Sequence, residues 1–380
     1  MLRKIGVIEK PRRRDGSFGL KPHLVAVRTW LQVSNFSMKA LTLTAYNQFE
    51  FSDAPDPEIA DNEVLIAVKA CGICGSDIHG MDGSSGRRIP PIIMGHEASG
   101  EISVVGSSVT NWKPGDRVTF DSTVYCGKCE ACRSGQVNLC PDRNVLGVSC
   151  DDYRRHGAFA EYVKVPEHIL CAIPESVSYE HAAFAEPVSI ALHGVNRVPL
   201  KEGDSAVVIG AGLIGLLVVQ ALKAKGAGTV VAVDIDEKRL ALAKELGADA
   251  TLVSNDEVPA KVREIVGNPD GADVALEVVG FGPTIKLAVE SVRKGGSIGC
   301  VGNLKAEVPF PLQAIVTREL SVYGSCASAG EYDEAVEAVA SGAIRVEPLM
   351  SAVADLAEGA EWFDRLYKNE EGLLKVILKP

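Results

Sequence analysis

The glycine-rich turn at residues 207–215, Val-Val-Ile-Gly-Ala-Gly-Leu-Ile-Gly, constrains the fold of this chain more than any other segment. An apolar run leads into the pattern GxGxxG, and an apolar segment of helical length follows it. Gly210 permits a tight turn, Gly212 lets backbone N–H groups approach a phosphate, and Gly215 lets the helix pack closely on the strand. The pattern therefore predicts a strand, a turn that binds a pyrophosphate at a helix N-terminus, and a helix.

Asp234 ends the next apolar run, 19 residues after Gly215. A carboxylate at this distance accepts hydrogen bonds from the adenosine ribose hydroxyls and repels a 2′-phosphate, which favours NAD over NADP. A simpler interpretation is that Asp234 only caps the next helix. Lys238 and Arg239 follow on that helix and would weaken the preference for NAD if they faced the ribose.

The pattern of the remaining sequence indicates an α/β protein with two kinds of domain. Between residues 204 and 323, six apolar runs alternate with segments of helical periodicity, as in a doubly wound parallel sheet. Residues 38–190 contain short strand-like runs separated by Gly and Pro, which favours an antiparallel, barrel-like β domain. The chain then ends in a helix and a strand. We predict one domain from residues 38–190 and 330–380, and a second from residues 191–329.

Residues 1–37 differ from the rest of the chain in charge. They hold eight Lys and Arg residues against two Asp and Glu, whereas the whole chain has a net charge of −11. Because they show no helical or strand periodicity, we predict a disordered extension that precedes a natural start at Met38. An Arg-rich transit peptide is the second interpretation, and specific binding by this basic tail is the third.

The composition also limits the classes of partner. An acidic chain lacks the basic face of a typical nucleic-acid-binding protein. No apolar run reaches the roughly 18–20 residues that are needed to span a bilayer. Four of the ten cysteines lie within residues 126–140, which indicates metal binding in a reducing compartment. We therefore expect a cytoplasmic protein that acts on a small molecule, without nucleic acid or membrane partners.

Those four cysteines have the spacing Cys126-x2-Cys129-x2-Cys132-x7-Cys140. Four thiolates in one loop match a closed tetrahedral zinc site, and closed zinc sites are structural. The metal would stabilise a loop that has little apolar core of its own. An iron–sulfur cluster is the main alternative for cysteines this close together.

A second group of metal-binding residue types is spread along the first half of the chain. It comprises Cys71 and Cys74, the sequence Gly-His96-Glu97, and Glu186 within Ala-Glu-Pro. A catalytic zinc needs about three protein ligands and one open position, and a cysteine, a histidine and a carboxylate can supply them. Cys71 and Cys74 also have the spacing of a redox pair, and His96 taken alone is more typical of a structural histidine.

With these motifs in this order, the chain resembles the zinc-containing medium-chain dehydrogenases over residues 38–380. Their polyol branch, typified by sorbitol and galactitol-phosphate dehydrogenases, shares Gly-Ile-Cys-Gly-Ser-Asp, Gly-His-Glu and Glu-Pro with it. The resemblance implies a GroES-like catalytic domain, interrupted by a Rossmann domain and completed by the C-terminal segment. It also implies NAD, two zinc ions per chain (one catalytic, one structural), and a homodimer or homotetramer.

The resemblance implies a role for each residue around the catalytic zinc. Cys74 and His96 correspond to zinc ligands. Two carboxylates are candidates for the third zinc ligand. Either Glu97 binds the zinc and Glu186 holds a zinc-bound water, or Glu186 binds the zinc directly. Asp77 corresponds to the carboxylate that orients the zinc histidine.

The same resemblance implies a proton relay and a set of coenzyme contacts. Ser76 corresponds to the relay hydroxyl, and His79 corresponds to the group that continues the relay to solvent in some members. The ordinary interpretations are a solvated turn for Ser76 and a surface imidazole for His79. The implied coenzyme contacts are Gly210, Gly212, Leu213, Ile214, Gly215, Asp234, Arg239 and Val301.

The substrate pocket is where the chain departs from sorbitol dehydrogenases. They tend to have an aromatic residue just after the relay histidine, and this chain has Gly80. Arg318-Glu319 resembles the Arg-Glu pair that supplies a substrate-binding arginine in polyol enzymes. Arg154 and Arg155 could bind the phosphate of a sugar-phosphate substrate, or could simply be exposed loop residues.

The implied reaction oxidises a secondary alcohol of a polyol or a sugar-alcohol phosphate to a ketone. Zinc would lower the pKa of the substrate hydroxyl, Ser76 would take the proton, and the alkoxide would transfer hydride to NAD. The alternatives are a threonine-type or simple alcohol dehydrogenase of the same fold, and a non-catalytic relative. The retained Cys74, His96, Glu97 and Glu186 argue against the last of these.

Overall fold

The computed structural model describes residues 37–380, and the structural statements below concern that part of the chain. The extension predicted for residues 1–37 lies outside the described residues, apart from Ser37. Within the described range, no helix is both long enough and apolar enough to cross a membrane.

Short, mostly antiparallel strands dominate the chain up to residue 172. In the longest of them, Val64, Ile66 and Val68 are buried and alternate with more exposed neighbours, as the two-residue period of a half-buried strand requires. The strands are β1 (Ser37–Ala45), β2 (Gln48–Pro55), β3 (Glu63–Gly72), β4 (Ile92–Ile93), β5 (Glu97–Val105), β6 (Arg117–Phe120), β7 (Thr123–Val124), β8 (Asn144–Val145), β9 (Val148–Ser149), β10 (Arg154–Arg155), β11 (Tyr162–Pro166) and β12 (Leu170–Ala172). The helices up to residue 196 are α1 (Gly75–Ile78), α2 (Glu130–Arg133), α3 (Tyr179–Ala182) and α4 (Ala185–Asn196).

A six-stranded parallel sheet follows, in the order β15-β14-β13-β16-β17-β18. Its strands are β13 (Ala206–Ile209), β14 (Val230–Asp234), β15 (Ala250–Val253), β16 (Ala272–Glu277), β17 (Val292–Cys300) and β18 (Ser321–Gly324). The intervening helices are α5 (Leu213–Ala224), α6 (Glu237–Glu245), α7 (Val258–Val266), α8 (Gly282–Ser291) and α9 (Leu312–Thr317). The strand order reverses between β13 and β16, which opens a ligand-binding crevice at the carboxyl ends of the strands. The predicted doubly wound α/β fold is therefore confirmed.

The C-terminal segment returns to the antiparallel part of the protein. It contains α10 (Tyr332–Ala340), β19 (Met350–Asp355), α11 (Gly359–Tyr367) and β20 (Lys375–Lys379). Strand β20 pairs with β3, with Ile377 opposite Gly72, and completes a seven-stranded sheet of order β12-β6-β5-β3-β20-β19, in which β11 also pairs with β3. The C-terminal segment thus lies beside the strand that leads to Cys74. The exact limits of the two predicted domains stay a prediction.

Helix α11 is fixed to this sheet through aromatic packing. Phe159 and Phe363 are fully buried and pack in a T-shaped, edge-to-face arrangement, with ring centroids 5.6 Å apart. Such a pair contributes about 1 kcal/mol beyond the burial of its apolar area. The contact holds the last helix of the chain on the core around β1, β3 and β5.

Candidate functional site

Three metal-binding side chains meet at one end of the antiparallel sheet. Cys74 is the N-cap of α1, His96 directly precedes β5, and Glu97 begins it. Pairing of β3 with β5 places Glu97 opposite Gly72, two residues before Cys74. One ligand atom from each of the three side chains lies within 4.8 Å of the others. One sulfur, one nitrogen and one oxygen donor at this separation fit a zinc ion with a fourth, open position.

Asp77 connects two of these ligands. Its Oδ1 lies 3.5 Å from His96 Nδ1, and its Oδ2 accepts a hydrogen bond from the backbone N–H of Cys74 at 3.3 Å. Burial alone would raise the pKa of Asp77, but the charges of His96 and Arg88 outweigh it and lower the pKa well below its ordinary value. The carboxylate therefore stays ionised and lies beside Nδ1 of the imidazole, which makes no hydrogen bond within the described residues, and the other ring nitrogen is left for a metal.

The two candidate carboxylates occupy different positions. Glu97 belongs to the group with Cys74 and His96, whereas Glu186, near the start of α4, lies outside that 4.8 Å group. Glu186 is 8% exposed, and burial raises its pKa to about 7, with His96 opposing the rise and Glu97 adding to it. Glu186 is therefore a neighbour of the cluster, and Glu97 is the carboxylate at ligand distance.

Lys375 is a member of the site that the sequence interpretation missed. It is 1% exposed, it donates to the backbone oxygen of Ile73 at 2.9 Å, and it forms a salt bridge with Glu97. The charge of Glu97 outweighs the effect of burial and raises the pKa of Lys375. The sequence did carry a signal for this residue, because Lys375 lies inside the apolar run Leu-Leu-Lys-Val-Ile-Leu, and a lysine buried in such a run requires a partner.

The two proposed relay residues lie on α1 and at its end. Ser76 is exposed, and its Oγ lies 3.3 Å from Cys74 Sγ. His79, the C-cap of α1, is also exposed and lines a cavity of about 580 Å³ together with Asp236 and Arg239. The hydrogen bonds found among the described residues do not join Ser76 to His79. The cavity nevertheless runs from His79 on the antiparallel part to α6 on the parallel sheet.

The glycine-rich turn has the geometry that its pattern predicted. Gly210 has a φ of +103°, and a Cβ at Gly215 would lie 1.9 Å from the carbonyl oxygen of Gly210. Gly212 is the N-cap of α5, and a Cβ there would meet nothing within 4 Å, so its backbone is open to a ligand. Leu213 and Ile214 form the first turn of the helix.

Asp234 ends β14 and accepts hydrogen bonds from the backbone N–H groups of Ala211 and Asp236. Helix α6 is capped by Asp236, whose side chain accepts from the N–H groups of Lys238 and Arg239. The simpler interpretation of Asp234 as the cap is therefore wrong, and its carboxylate faces the glycine turn.

Val301 occupies the same edge of the parallel sheet. It directly follows β17, and its N–H donates to the carbonyl oxygen of Glu277 at 2.8 Å. The residues at this edge fit a dinucleotide that runs across the carboxyl ends of the strands.

The four-cysteine loop is already folded around a common centre. One sulfur from each of Cys126, Cys129, Cys132 and Cys140 lies within 4.8 Å of the others. Backbone N–H groups point at these sulfurs: that of Cys126 donates to Cys140 and that of Cys132 donates to Cys129, both at 3.4 Å. The N–H of Lys128 is the largest of the influences that lower the pKa of Cys126 to about 7. Four converging sulfurs with backbone donors fit a closed tetrahedral zinc site.

Arg318 does not reach the candidate site, which corrects its predicted role in substrate binding. It precedes β18, so it lies at the amino ends of the parallel strands, opposite to the glycine turn. Its guanidinium donates to the backbone oxygens of Val289 at 2.7 Å and of Val292. Since parallel strands expose ligands at their carboxyl ends, this arginine is structural.

The two arginines considered for a substrate phosphate already have partners. Arg154 donates to Ser149 Oγ at 3.2 Å, and Arg155 forms a salt bridge with Glu63 at 3.3 Å. Arg155 is therefore neutralised by a carboxylate.

Comparisons with known proteins agree with this geometry. The family pattern described as "Alcohol dehydrogenase GroES-like domain" matches residues 60–175, and that described as "Zinc-binding dehydrogenase" matches residues 214–341. The sorbitol dehydrogenase of Bacillus subtilis is 36% identical over 348 residues, which cover 90% of this chain and 98% of that protein.

Two solved structures are similar over nearly the whole chain. A zinc-binding dehydrogenase of Sinorhizobium meliloti bound to NADP is 34% identical, with a TM-score of 0.83, and the match covers 91% of this chain and 100% of that one. Galactitol-1-phosphate dehydrogenase of Escherichia coli is 30% identical, with a TM-score of 0.82, and the match covers 90% and 100%.

Proposed function

Because the chain belongs to the zinc-binding dehydrogenases with an alcohol dehydrogenase GroES-like domain, we propose that it oxidises a secondary alcohol of a polyol or a sugar-alcohol phosphate to a ketone. The observation that carries the proposal is the cluster of Cys74, His96 and Glu97 beside the exposed hydroxyl of Ser76. The names of two relatives, a sorbitol and a galactitol-1-phosphate dehydrogenase, support the substrate class.

The catalytic metal would be held by Cys74, His96 and Glu97. When bound, zinc supplies a Lewis acid that polarises the substrate hydroxyl and lowers its pKa. Asp77 keeps the imidazole of His96 oriented, and Lys375 balances the charge of Glu97. In this proposal Glu186 is a buried neighbour of the cluster and not a direct ligand.

The proton of the substrate hydroxyl would pass to Ser76. Its Oγ lies within 3.3 Å of the sulfur of Cys74, so a hydroxyl held in the open position of the cluster would be within its reach. His79 borders the cavity of about 580 Å³, which Gly75 also lines, and is exposed to water, which suits a later carrier of the proton. Both side chains act in this proposal without being zinc ligands.

The coenzyme would lie along the carboxyl edge of the parallel sheet, where NAD supplies the hydride acceptor. Gly210, Gly212 and Gly215 allow the pyrophosphate to approach the N-terminus of α5. Asp234 would accept the ribose hydroxyls. The relative from S. meliloti was solved with NADP, so the preference of this chain for NAD is argued from the carboxylate of Asp234.

The second metal would be structural. Cys126, Cys129, Cys132 and Cys140 leave no open coordination position in a tetrahedral site. The loop that carries them has short helical turns and few buried side chains, so bound zinc would stabilise it directly.

We also propose that two or four copies of the chain associate. Strand β18 is at the edge of the parallel sheet, and the segment between β17 and β18 exposes four large apolar side chains: Leu304, Phe310, Leu312 and Val316. A second copy would cover this apolar surface and the open edge. Light scattering should give the mass of a dimer or tetramer, and a monomer at micromolar concentration would contradict the proposal.

A cytoplasmic location is proposed from the cysteines. All ten cysteines lie in the part of the chain that the structure describes, and all ten are free thiols there. Two clusters that bind metal through reduced thiolates are maintained most readily in a reducing compartment.

A substrate screen tests the proposed activity. The purified full chain would be incubated with NAD and a panel of polyols, polyol phosphates, threonine and simple alcohols, and formation of NADH would be measured. We expect the highest kcat/KM for a polyol or a polyol phosphate, and about two zinc ions per chain. Threonine or a simple alcohol as the best substrate would overturn the substrate class. A protein with two zinc ions and no activity on the whole panel would overturn the proposal.

A further inference from the structure

Arg88 is a buried cation beside the candidate zinc site. It lies between α1 and β4, and only 4% of its surface is exposed. Burial of a guanidinium costs free energy unless its N–H groups are paired, so the contacts of Arg88 indicate its role. Its Nε and Nη2 donate to Asp77 Oδ1 at 3.2 and 2.9 Å, and its Nη1 donates to the backbone oxygen of Arg87 at 2.9 Å.

The remaining contact of Arg88 goes to Ser76. Its Nη2 donates to Ser76 Oγ at 3.3 Å. One guanidinium therefore touches both the carboxylate that orients His96 and the hydroxyl that is proposed to take the substrate proton. Asp77 pairs with the charge of Arg88, so the desolvation cost is offset without any contribution from Ser76. The contact with Ser76 is thus additional to what burial of the arginine requires.

The backbone around Arg88 is fixed independently of these contacts. The carbonyl oxygen of Arg87 accepts from the N–H of Ser149 at 3.2 Å, and the N–H of Ile89 donates to the carbonyl oxygen of Ser149 at 3.0 Å. Ser149 ends β9 and is itself buried. Replacing the guanidinium would therefore leave the segment attached to the β9–β10 hairpin.

Gly80 makes room for this side chain. A Cβ at residue 80 would lie 2.3 Å from Cγ of Arg88 and 3.3 Å from its Cβ. Any larger residue at position 80 would push the arginine out of its present place. The absence of an aromatic residue after His79 and the presence of Arg88 are therefore one linked feature of this chain.

We propose that Arg88 is a positioning residue that holds the hydroxyl of Ser76 in the orientation for proton transfer; this rests on the function proposed above. A serine oxygen has two lone pairs and carries one proton. The N–H of Arg88 occupies one lone pair. The second lone pair is then left to accept the proton of the substrate hydroxyl. The serine's own O–H bond, which is directed at Cys74 Sγ in this structure, breaks as the new O–H bond forms, and its proton passes to solvent water, to which Ser76 is exposed. Without Arg88, the hydroxyl would rotate among staggered positions, and only some of them are productive.

The direct test removes the guanidinium and keeps the volume of the side chain, as in Arg88→Met, with the exposed neighbour Arg87→Met as the matched control. We expect kcat to fall roughly 10- to 100-fold in Arg88→Met, as for loss of a group that orients a catalytic one. In zinc-saturated protein, KM for the alcohol and the Kd for NADH should stay within about twofold of the unaltered protein, because Arg88 is expected to affect proton transfer and not binding. The free energy of unfolding should fall, because the buried carboxylate of Asp77 loses the guanidinium and keeps only His96 beside it. Arg88→Lys, which retains a donor, should recover part of the loss.

A double-mutant cycle with Ser76→Ala shows whether Arg88 acts through the hydroxyl. If it does, Arg88→Met should cause little further loss once Ser76 is alanine, because coupled residues are not additive. Full additivity, or a loss of zinc that accounts for the loss of activity, would refute the proposal and leave Arg88 as a structural partner of Asp77. Unchanged kcat in Arg88→Met would refute it equally.

Gly80→Ala tests the same contact in a protein that keeps Arg88. The added methyl would lie 2.3 Å from Cγ of Arg88 and 3.0 Å from the backbone oxygen of Ser76, so the arginine should be displaced and kcat should fall. In a Ser76→Ala background the methyl should cause little further loss, because the hydroxyl that Arg88 orients is already absent. Equal losses in both backgrounds would contradict the proposal. Failure of the proposed function is a separate outcome, since it appears as inactivity of the unaltered protein on every substrate of the panel.

Discussion

The two metal-binding clusters differ in how far apart their residues lie along the chain. The four-cysteine cluster comes from residues 126–140, whereas the catalytic cluster joins Cys74, His96 and Glu97 with Lys375, 278 residues beyond Glu97. Spacing alone brings the cysteines together, because a short loop keeps them close in any compact conformation. The catalytic cluster exists only when β3 has paired with both β5 and β20. The first cluster is therefore a property of a loop, and the second is a property of the whole fold.

Removal of a catalytic ligand should give the largest effect and should separate the two clusters. His96→Ala is expected to lower kcat by at least about 10³-fold, because the Lewis acid that activates the hydroxyl loses one of three ligands. Zinc content should fall from about two to about one per chain, with the remaining ion at the four cysteines. Steady-state kinetics and metal analysis on the same sample check both statements. His181→Ala, which changes a half-buried histidine of α3, is the control.

Loss of a cysteine from the loop should lower stability and leave kcat per zinc unchanged, the reverse of what is expected for His96→Ala. In Cys129→Ser we expect one zinc per chain again, a clear fall in Tm, and a kcat per remaining zinc close to that of the unaltered protein at low temperature. Thermal unfolding with and without a zinc chelator measures the contribution of the ion to stability. If kcat per zinc fell as far as in His96→Ala, the two clusters would not be independent, and the contrast between them would be wrong.

This contrast also explains what the sequence could predict. The cysteine cluster and the glycine turn follow local patterns, and the helix and strand predicted at the end of the chain correspond to α10 and β20. Lys375 and Arg88 were missed because their partners, Glu97 and Asp77, come from other elements. Local spacing carries no information on which strands pair.

The predicted substrate-binding role of Arg318 was wrong for the same reason, since local sequence does not reveal the position of a residue in the sheet. Its sequence context resembled a substrate-binding pair, but the residue precedes β18 and so falls at the amino edge of the sheet. Only the direction of the strand decides which edge a residue reaches. Glu97 and Glu186 were likewise indistinguishable in the sequence, because both are carboxylates next to plausible motifs; the pairing of β3 with β5 separates them.

Lys375→Met is the test of how strongly the catalytic cluster depends on the fold. It leaves the carboxylate of Glu97 buried without its cationic partner, which should lower the free energy of unfolding by about 3 kcal/mol in the absence of zinc. Bound zinc should reduce this loss, since the metal gives Glu97 a positive charge to face. Denaturant unfolding of the zinc-free and zinc-loaded protein measures the difference. Equal losses in both forms would show that Glu97 does not face the metal.

The coenzyme site has features of both metal clusters. Its glycine turn is one short segment of sequence, whereas the carboxylate of Asp234 comes from the next strand, β14. Asp234→Asn keeps the size and an acceptor oxygen but removes the charge that would repel a 2′-phosphate. We expect the Kd for NADH to rise about tenfold and the Kd for NADPH to fall, measured by fluorescence titration. The control is Asp249→Asn, whose carboxylate binds the N–H of Val230 at the opposite end of β14. If the unaltered protein already bound NADPH more tightly than NADH, the carboxylate of Asp234 would not set the preference. In that case the coenzyme choice would depend, like the catalytic cluster, on residues that are distant in the sequence.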